Sequence, residues 1–188
     1  MGGTMDRTKQ QRRGNTRQRI QDVALELFIE QGYEKTSLRE IAEQLHVSKA
    51  ALYYHFRTKD ELIASLATPF LEGFATLLDE AEASDETDIA RALVEGYLDL
   101  LFEQRGLVRW LREDYGASAH PAIGPVMSDL GQRLRHLMGG AEMSFDEQVR
   151  VTAALGALGT GVAEFRDASS DDLRGPLLGA AWAVLEKD

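Results

Sequence analysis

The side chains best suited to chemistry lie in residues 47–56, which read Val-Ser-Lys-Ala-Ala-Leu-Tyr-Tyr-His-Phe. Ser48 is a good N-cap, because its hydroxyl can accept a hydrogen bond from an unpaired N–H group of a helical first turn. On a helix that starts there, Leu52 and Phe56 share an apolar arc that anchors it. The adjacent arc, roughly 140° wide, carries Lys49, Ala50, Tyr53 and Tyr54. A cation, small side chains and phenolic hydroxyls together suit contacts to base edges and phosphate oxygens of a nucleic acid.

The preceding residues favour this interpretation over a simpler one, in which the two tyrosines are half-buried at the rim of an ordinary helical bundle. Ser37-Leu38-Arg39-Glu40 matches the capping box S-x-x-E, which predicts that a helix begins at this serine. Ile41, Ala42 and Leu45 give that helix an apolar inward face. The sequence therefore predicts a helix, a three-residue turn and a second helix.

Together with Lys59-Asp60-Glu61-Leu62, residues 47–56 resemble the DNA-binding signature of the TetR family of ligand-responsive transcriptional regulators. The resemblance covers about Thr16 to Leu66, and the rest of the chain matches the family only in being helical and of suitable length. It implies an all-α fold, with an N-terminal three-helix helix-turn-helix DNA-binding domain and a larger helical C-terminal domain for ligand binding and dimerisation.

The residues expected to contact DNA come from the second, third and fourth helices. The resemblance implies phosphate contacts for His55 and Lys59 and a DNA contact for Arg39, although an exposed ion pair with Glu43 is the alternative for Arg39. The N-terminus of the second helix suits phosphate binding. The predicted DNA-binding residues are Thr36, Ser37, Arg39, Ser48, Lys49, Ala50, Ala51, Tyr53, Tyr54, His55 and Lys59.

The turn departs from the family pattern, because His46 stands where the family usually carries glycine. Glycine adopts positive φ without steric cost, and histidine is among the other residues enriched in that region. We therefore expect His46 to have positive φ.

The charge distribution is compatible with a DNA partner, although the net charge of −10 at first argues against a polyanionic one. Residues 1–62 carry 11 Lys or Arg against 9 Asp or Glu, whereas residues 63–188 carry 10 against 22. Positive charge is therefore concentrated beside the motif.

The composition predicts a soluble, cytoplasmic protein. Because there is no cysteine, disulfides and thiolate metal sites are excluded, and a reducing compartment is expected. The basic N-terminus lacks the apolar stretch of a signal peptide. The most apolar uncharged run, residues 151–163, is shorter than the about 20 residues of a membrane span, so no membrane partner is expected.

Three segments are predicted along the chain. Residues 1–15 are polar and basic, and we expect them to be disordered in isolation, either as an arm along DNA or as a solubilising tail. Residues 16–62 form the helix-turn-helix domain, and residues 63–188 form the ligand-binding and dimerisation domain. The helices expected after the motif are residues 58–82, 89–104, 107–115, 122–138, 144–166 and 176–186, with breaks at Gly106 and over residues 169–175.

Small residues are concentrated in the last two predicted helices, for example Gly156, Gly159 and Gly161 in one and Gly179 in the other. Glycine inside a helix costs about 1 kcal/mol relative to alanine, so several of them indicate that another backbone comes close. Two such helices from each of two subunits would form a four-helix homodimer interface, as the resemblance also implies. The alternative is that they admit bulky neighbours within one subunit.

The C-terminal domain is also expected to bind a small-molecule effector of unknown identity, as the resemblance implies. The simpler interpretation is that each aromatic residue of this domain is an ordinary core residue. The candidate ligand-binding residues are Phe74, Tyr97, Phe102, Trp110, Tyr115, Met127 and Phe165, with Trp182 as a further wall residue and Asp99, Glu164 and His136 as polar groups.

No enzyme, cofactor or metal is predicted. The sequence lacks G-x-S-x-G, a P-loop and H-E-x-x-H, and its four histidines show no paired ligand spacing. We expect a ligand-responsive regulator that binds a pseudo-palindromic operator as a homodimer, acts as a repressor and is released by the effector. The alternative is a helical small-molecule-binding or interaction protein that no longer reads DNA.

Overall fold

The computed structural model describes residues 3–84, 88–140 and 143–186, with side chains described from residue 15 onward except at residue 115. Every regular element in those ranges is a helix, which confirms the predicted all-α class. In chain order the helices are α1 (Gly3–Gln31), α2 (Leu38–Gln44), α3 (Lys49–His55), α4 (Lys59–Ala83), α5 (Ile89–Glu103), α6 (Arg105–Glu113), α7 (Tyr115–Ser118), α8 (Gly124–Gly139), α9 (Phe145–Glu164) and α10 (Ser170–Leu185).

The chain divides into two compact units, which we call the head (residues 1–66) and the body (residues 67–188). In the head, apolar residues of α1, α2, α3 and α4 form one core, because each helix repeats them at the spacing of one helical face. The fully buried members are Ile20, Ala24, Ile41, Leu52, Phe56, Leu62 and Ile63. This core holds α2 and α3 in the helix-turn-helix arrangement that the sequence predicts.

The first helix differs from the prediction, because α1 begins at Gly3 and the expected disordered arm is helical from that residue. Residues 3–15 are rich in Arg, Lys and Gln, which are good helix formers, and extending an existing helix adds one hydrogen bond per residue. The predicted DNA contacts of the arm, at Arg7, Lys9, Arg12 and Arg13, concern side chains that lie outside the described residues.

In the body, α9 is the central helix and packs against α5, α6, α8 and α10. It begins with a capping box, in which the Ser144 hydroxyl accepts from Glu147 N–H and the Glu147 carboxylate accepts from Ser144 N–H. α9 and α10 lie very close together, because a β-carbon added at Gly161 would clash with Leu177. That glycine therefore serves packing within one subunit, which is the alternative considered for the small residues.

Two predicted breaks in the body are wrong. Gly106 lies inside α6, and α10 begins at Ser170, before the predicted start at Pro176. The earlier start follows from an N-cap, since the Ser169 hydroxyl accepts from Asp172 N–H and the first turn carries two acidic residues that favour a helix N-terminus. Pro176 lies inside this helix, where a proline removes one backbone hydrogen bond and crowds the carbonyl of residue i−4.

Candidate nucleic-acid interface

The turn between α2 and α3 has the geometry that the sequence predicts. His46 has a φ of 54°, which confirms the expected left-handed conformation. Two backbone bonds close the turn, from His46 N–H to Glu43 O at 3.1 Å and from Val47 N–H to Ala42 O at 3.0 Å. The buried Leu45 anchors it to the head core. α3 is therefore held at a fixed angle to α2 by local bonds and one apolar contact.

α3 separates its apolar and polar residues as expected. Leu52 is fully buried, whereas Tyr53 is 40% exposed and Tyr54 is 64% exposed. The Ser48 hydroxyl caps the helix by accepting from Ala51 N–H at 3.1 Å. Tyr54 is therefore mostly exposed, whereas Tyr53 is close to half-buried, as the simpler interpretation expects of both.

The exposed face of α3 carries positive charge and hydrogen-bonding groups. Lys49 and Ala50 are exposed, and the Lys49 ammonium lies 5.4 Å from the centre of the Tyr53 ring. No acidic residue occurs in α3. We call Lys49, Ala50, Tyr53 and Tyr54 the α3 face. It offers cationic, hydroxyl and methyl groups without a carboxylate that would repel phosphate.

Arg39, the candidate on α2, is paired in this structure. Its Nε donates to Glu43 Oε1 at 2.7 Å, and both side chains are exposed. The hydrogen bond with Glu43 raises the pKa of Arg39. The structure therefore shows the alternative for Arg39, which is an exposed ion pair with Glu43. Exposed pairs of this kind contribute little stability, so a phosphate can compete for the guanidinium.

The N-terminus of α2 is occupied by its own capping box. Ser37 N–H donates to Glu40 Oε2 at 2.8 Å, and Glu40 N–H donates to Ser37 Oγ at 3.2 Å. These bonds lower the pKa of Glu40. The predicted phosphate site therefore already holds a carboxylate from the same chain.

Thr36 must be removed from the predicted DNA-binding surface. Its side chain is 1% exposed, and its hydroxyl donates to Gly32 O at 2.9 Å while accepting from Gln31 Nε2 at 3.2 Å. These hydrogen bonds connect the end of α1 to the segment that precedes α2. A threonine before a capping box looks like an exposed polar residue in sequence, and only its contacts with α1 show that it is core.

Lys59 has a structural role that the sequence did not reveal. Its ammonium donates to Tyr33 O at 2.7 Å and to Thr36 O at 3.0 Å, and it lies 3.8 Å from the centre of the Tyr33 ring. The Tyr33 hydroxyl donates to Asp60 Oδ1 at 2.8 Å, and burial together with this bond raises the pKa of Tyr33. Lys59 and Asp60 thus hold the loop between α1 and α2. An ammonium has three donors, so one remains for a phosphate.

The end of α3 is fixed by Arg17. Its Nη1 donates to the backbone oxygen of His55 at 3.3 Å, and its guanidinium lies 4.3 Å from the centre of the Phe56 ring. His55 and Ala51 are half-buried. Arg17 therefore supports α3 from α1.

The comparisons with known proteins agree with this geometry. The family model described as bacterial regulatory proteins, tetR family, matches residues 20–66. The HTH-type transcriptional regulator AcrR of Shigella flexneri is 45% identical over 62 residues, which cover 33% of this chain and 29% of AcrR. TtgR of Pseudomonas putida is 31% identical over 103 residues, which cover 53% of this chain and 49% of TtgR.

Residues 20–66 of the chain are therefore similar to the N-terminal region of TetR-family regulators. The crystal structure of the TetR-family regulator PfmR from Thermus thermophilus superposes with a TM-score of 0.63 at 21% identity, over 88% of this chain and 96% of PfmR, and it shows the shared fold. The matched segments span less than half the length of these two curated relatives. Both relatives are named as transcriptional regulators.

The body contains a cavity of about 220 Å³. Tyr97 and Met127 are the predicted ligand-binding residues that line it. The sequence missed the other wall residues, which are Phe70, Leu101, Val108, Leu111, Arg112, Leu155, Gly156 and Gly159. The ten wall residues come from α4, α5, α6, α8 and α9, and no local motif marks a residue that faces a cavity formed by five helices.

The remaining predicted ligand-binding residues do not line this cavity. Trp110 is fully buried and Phe74 is 2% exposed, with its ring centre 5.2 Å from that of Tyr97, so both are core residues. Phe165 is 59% exposed and ends α9 as its C-cap. Phe102 is half-buried beneath Arg105, at 5.0 Å. The side chain of Tyr115 lies outside the described residues.

Further expected wall residues are also placed elsewhere. Trp182 lies on α10 with Arg91 at 5.9 Å from its ring, and Asp99 is paired with Arg174. Glu164 and His136 are not among the residues that line the cavity either. The structure therefore assigns none of these four residues to the cavity wall.

One described helix, α4, is long and apolar enough to cross a membrane by length and composition. It is part of the cores described above, and 39% of its most apolar window is buried. A core helix of a soluble protein meets the same criteria, so α4 is only weak evidence for a membrane-spanning segment.

Proposed function

We propose that this protein is a TetR-family transcriptional repressor that binds a pseudo-palindromic operator as a homodimer and releases it when a small effector binds the body. The α3 face supports this proposal most directly. It is exposed, free of carboxylates and held rigidly by a buried leucine, an N-cap and a closed turn. A surface of this kind fits the major groove, where base edges differ between base pairs.

The proposed contacts divide between bases and phosphates. Ala50 and the hydroxyls of Tyr53 and Tyr54 approach base edges, while Lys49 binds phosphate or a guanine edge. Arg39 exchanges Glu43 for a phosphate on binding. Ser37, Ser48, Ala51, His55 and Lys59 contribute at the edges of this surface through backbone groups or a remaining donor.

The homodimer is supported by an uncharged, exposed stripe on the two C-terminal helices. On α10 this stripe consists of small residues at the spacing of one helical face, namely Gly175, Pro176, Gly179, Ala180 and Ala183. On α9 it includes Phe145, 81% exposed, and Val149, 49% exposed. A β-carbon added at Gly175 or Gly179 would meet no atom within 4 Å, so these two glycines serve no packing within the subunit. A second copy of the same stripe would bury this surface in a close helix-to-helix contact.

The dimer also has a functional reason. One short helix contacts too few bases for useful affinity, whereas two helices related by a two-fold axis occupy successive major grooves about 34 to 36 Å apart or a multiple of that distance. An effector that binds one conformation of the dimer better than another shifts the operator affinity by the ratio of those affinities.

Effector binding is supported by the cavity and by solved relatives with small molecules. A transcriptional regulator from Saccharomonospora viridis was solved with choline, at a TM-score of 0.55 and 21% identity, and SmeT was solved with triclosan. These two ligands differ in charge and shape. The relatives therefore support a small-molecule effector, but its chemical class must be inferred from the residues of this chain.

The net charge of −10 favours a second candidate, a helical small-molecule carrier that does not read DNA. Selection of bound duplexes from genomic fragments distinguishes the two functions. The repressor proposal predicts enrichment of a sequence with two-fold symmetry, and an affinity that falls steeply as salt rises because each neutralised phosphate releases a counterion. Selection that enriches no sequence would favour the carrier.

We also propose a cytoplasmic location, since DNA is the proposed partner and no cofactor or membrane is required. Fractionation of cells that express the full chain tests this. The protein is expected in the soluble fraction, and recovery with membranes would contradict the proposal.

A further inference from the structure

The cavity of the body is apolar except at two positions. Eight of its ten wall residues are aliphatic, aromatic, thioether or glycine, and the exceptions are Arg112 on α6 and the hydroxyl of Tyr97 on α5. Arg112 is exposed as well as part of the wall, so its guanidinium lies where the cavity meets solvent. A molecule that fills this cavity therefore meets an apolar interior and one cation.

Arg112 lacks the kind of carboxylate partner that several other arginines of the body have, for example Arg109 and Arg133. Arg109, one turn earlier on α6, donates to Glu113 at 2.8 Å, and Arg133 donates to Asp79 at 2.7 Å. Among the described residues, the only hydrogen-bond partner of Arg112 is the Thr160 hydroxyl, and no carboxylate lies within 4.0 Å of it. Thr160 itself donates to Gly156 O at 2.7 Å, which holds the hydroxyl in place. Most of the five guanidinium donors are thus left for another partner.

Tyr97 adds a neutral donor to the same cavity. Within the described part of the chain its hydroxyl has no hydrogen-bond partner, while its ring packs on Phe70 and Phe74 at centroid distances of 6.4 and 5.2 Å. Burial raises the pKa of Tyr97 to about 12, although the charge of Arg112 acts in the opposite direction. The hydroxyl therefore keeps its proton at neutral pH and can donate it in a hydrogen bond.

The size of the cavity limits its occupant. An apolar cavity of about 150 Å³ is large enough for benzene. The volume of about 220 Å³ here adds room for a carboxylate and one or two further carbons. A multi-ring compound would need the cavity to enlarge.

We propose that the effector is a small organic carboxylate with a single-ring or short aliphatic body, held by charge-assisted hydrogen bonds from Arg112 and a hydrogen bond from Tyr97. The guanidinium fork matches a carboxylate with two parallel bonds, and such bonds are about twice as strong as neutral ones. The apolar walls bind the ring or chain, and Gly156 and Gly159 leave room for it against the α9 backbone. This inference rests on the proposed effector response, because it names the chemistry of that effector.

Calorimetry on the full-length protein tests the charge preference without DNA. The probes are benzoate, phenylacetate and hexanoate, each compared with the neutral benzyl alcohol and the cationic benzylamine. At least one carboxylate is expected to bind at least tenfold more tightly than both. Equal affinity for benzyl alcohol, or the failure of all three carboxylates to bind at millimolar concentration, would overturn the proposal.

Three variants locate the interaction. Arg112→Gln is expected to weaken carboxylate binding at least tenfold and to abolish the preference over benzyl alcohol, whereas Arg112→Lys retains part of that preference. Tyr97→Phe keeps the ring contacts and is expected to weaken binding about threefold to tenfold through loss of one hydrogen bond. The matched control is Arg109→Gln, which removes an arginine from the same helix away from the cavity and is expected to change nothing.

The outcomes separate this inference from the proposed function. Unchanged carboxylate affinity in Arg112→Gln, with the variant shown to be folded by its circular dichroism and thermal transition, overturns the assignment of Arg112. If the protein selects an operator but binds no carboxylate, the effector class is wrong and the repressor proposal stands. If it binds the carboxylate but selects no duplex, the ligand site is supported and the DNA-binding proposal fails.

Discussion

The head and the body organise their function in different ways. In the head, the candidate surface is made by one seven-residue helix whose cap, buried anchor and exposed face follow one another in sequence. In the body, the walls of the cavity come from α4, α5, α6, α8 and α9, and Arg112 contacts Thr160, 48 residues later in the chain. A function carried by one helix can be recognised from its local pattern, whereas a function shared among five helices depends on how they pack.

This difference implies that substitutions on the exposed stripe of α9 and α10 weaken dimer formation. Substitutions on the α3 face are expected to weaken DNA binding and to leave the dimer unchanged. The largest effect is expected from Ala180→Glu. In the proposed dimer this substitution buries two like charges against each other, which costs several kcal/mol. We expect dimer affinity to fall by about a thousandfold or more, as measured by sedimentation equilibrium.

The control for this prediction is Gln132→Glu, which adds the same charge on α8, away from the stripe. It is expected to leave the dimer intact. A dimer that tolerates Ala180→Glu would show that the stripe on α9 and α10 is not the interface.

A smaller but more specific effect is expected from the double variant Tyr53→Ala/Tyr54→Ala. Each lost base contact costs about 1 to 3 kcal/mol, so operator affinity should fall by about 100-fold while the exposed substitutions leave folding stability nearly unchanged. Fluorescence anisotropy with the selected duplex and urea denaturation measure the two quantities. Equal losses of stability and affinity would mean that these tyrosines support the head rather than read DNA.

Two lysines of the head allow residues that contact DNA to be distinguished from residues that stabilise the head. Lys59→Met removes the ammonium that holds the Tyr33 and Thr36 carbonyls, and hydrogen bonds to charged groups contribute about 1.5 to 3 kcal/mol each. We expect a loss of unfolding free energy of about 1 to 3 kcal/mol in urea denaturation. Lys49→Ala should leave stability unchanged and weaken DNA binding, so equal stability of the two variants would contradict the assigned roles.

The smallest effect is expected at the turn. Because His46 has a positive φ, His46→Gly relieves strain and should raise the unfolding free energy by about 1 kcal/mol or less. His46→Val should lower it, since a β-branched residue is strongly disfavoured there. Thermal unfolding measures both. A destabilised glycine variant would show that the imidazole stabilises the turn through its own contacts.

The features that could be predicted correctly from the sequence depend on neighbours within a few residues. The capping boxes at Ser37 and Ser144, the N-cap at Ser48 and the φ of His46 belong to this group. Each follows from backbone groups that need a partner or from the conformational range of one side chain. The polar and apolar faces of α3 follow equally from helical periodicity.

The features that could not be predicted depend on distant contacts. Lys59 was expected at a phosphate, but Tyr33, 26 residues earlier, provides one of its partners. Thr36 was expected at the DNA surface, but α1 buries it. No local pattern indicates that Arg112 lacks a carboxylate partner, because pairing between helices depends on packing.

The central claim is that the α3 face reads base edges from two symmetric positions. The most direct test is a scan of every single base change in the selected operator, with the wild-type protein and with Tyr54→Ala. The account predicts that Tyr54→Ala abolishes the base preference at one pair of two-fold-related positions and leaves the other preferences intact. Preferences that remain unchanged at every position, or that fall uniformly across the duplex, would contradict it.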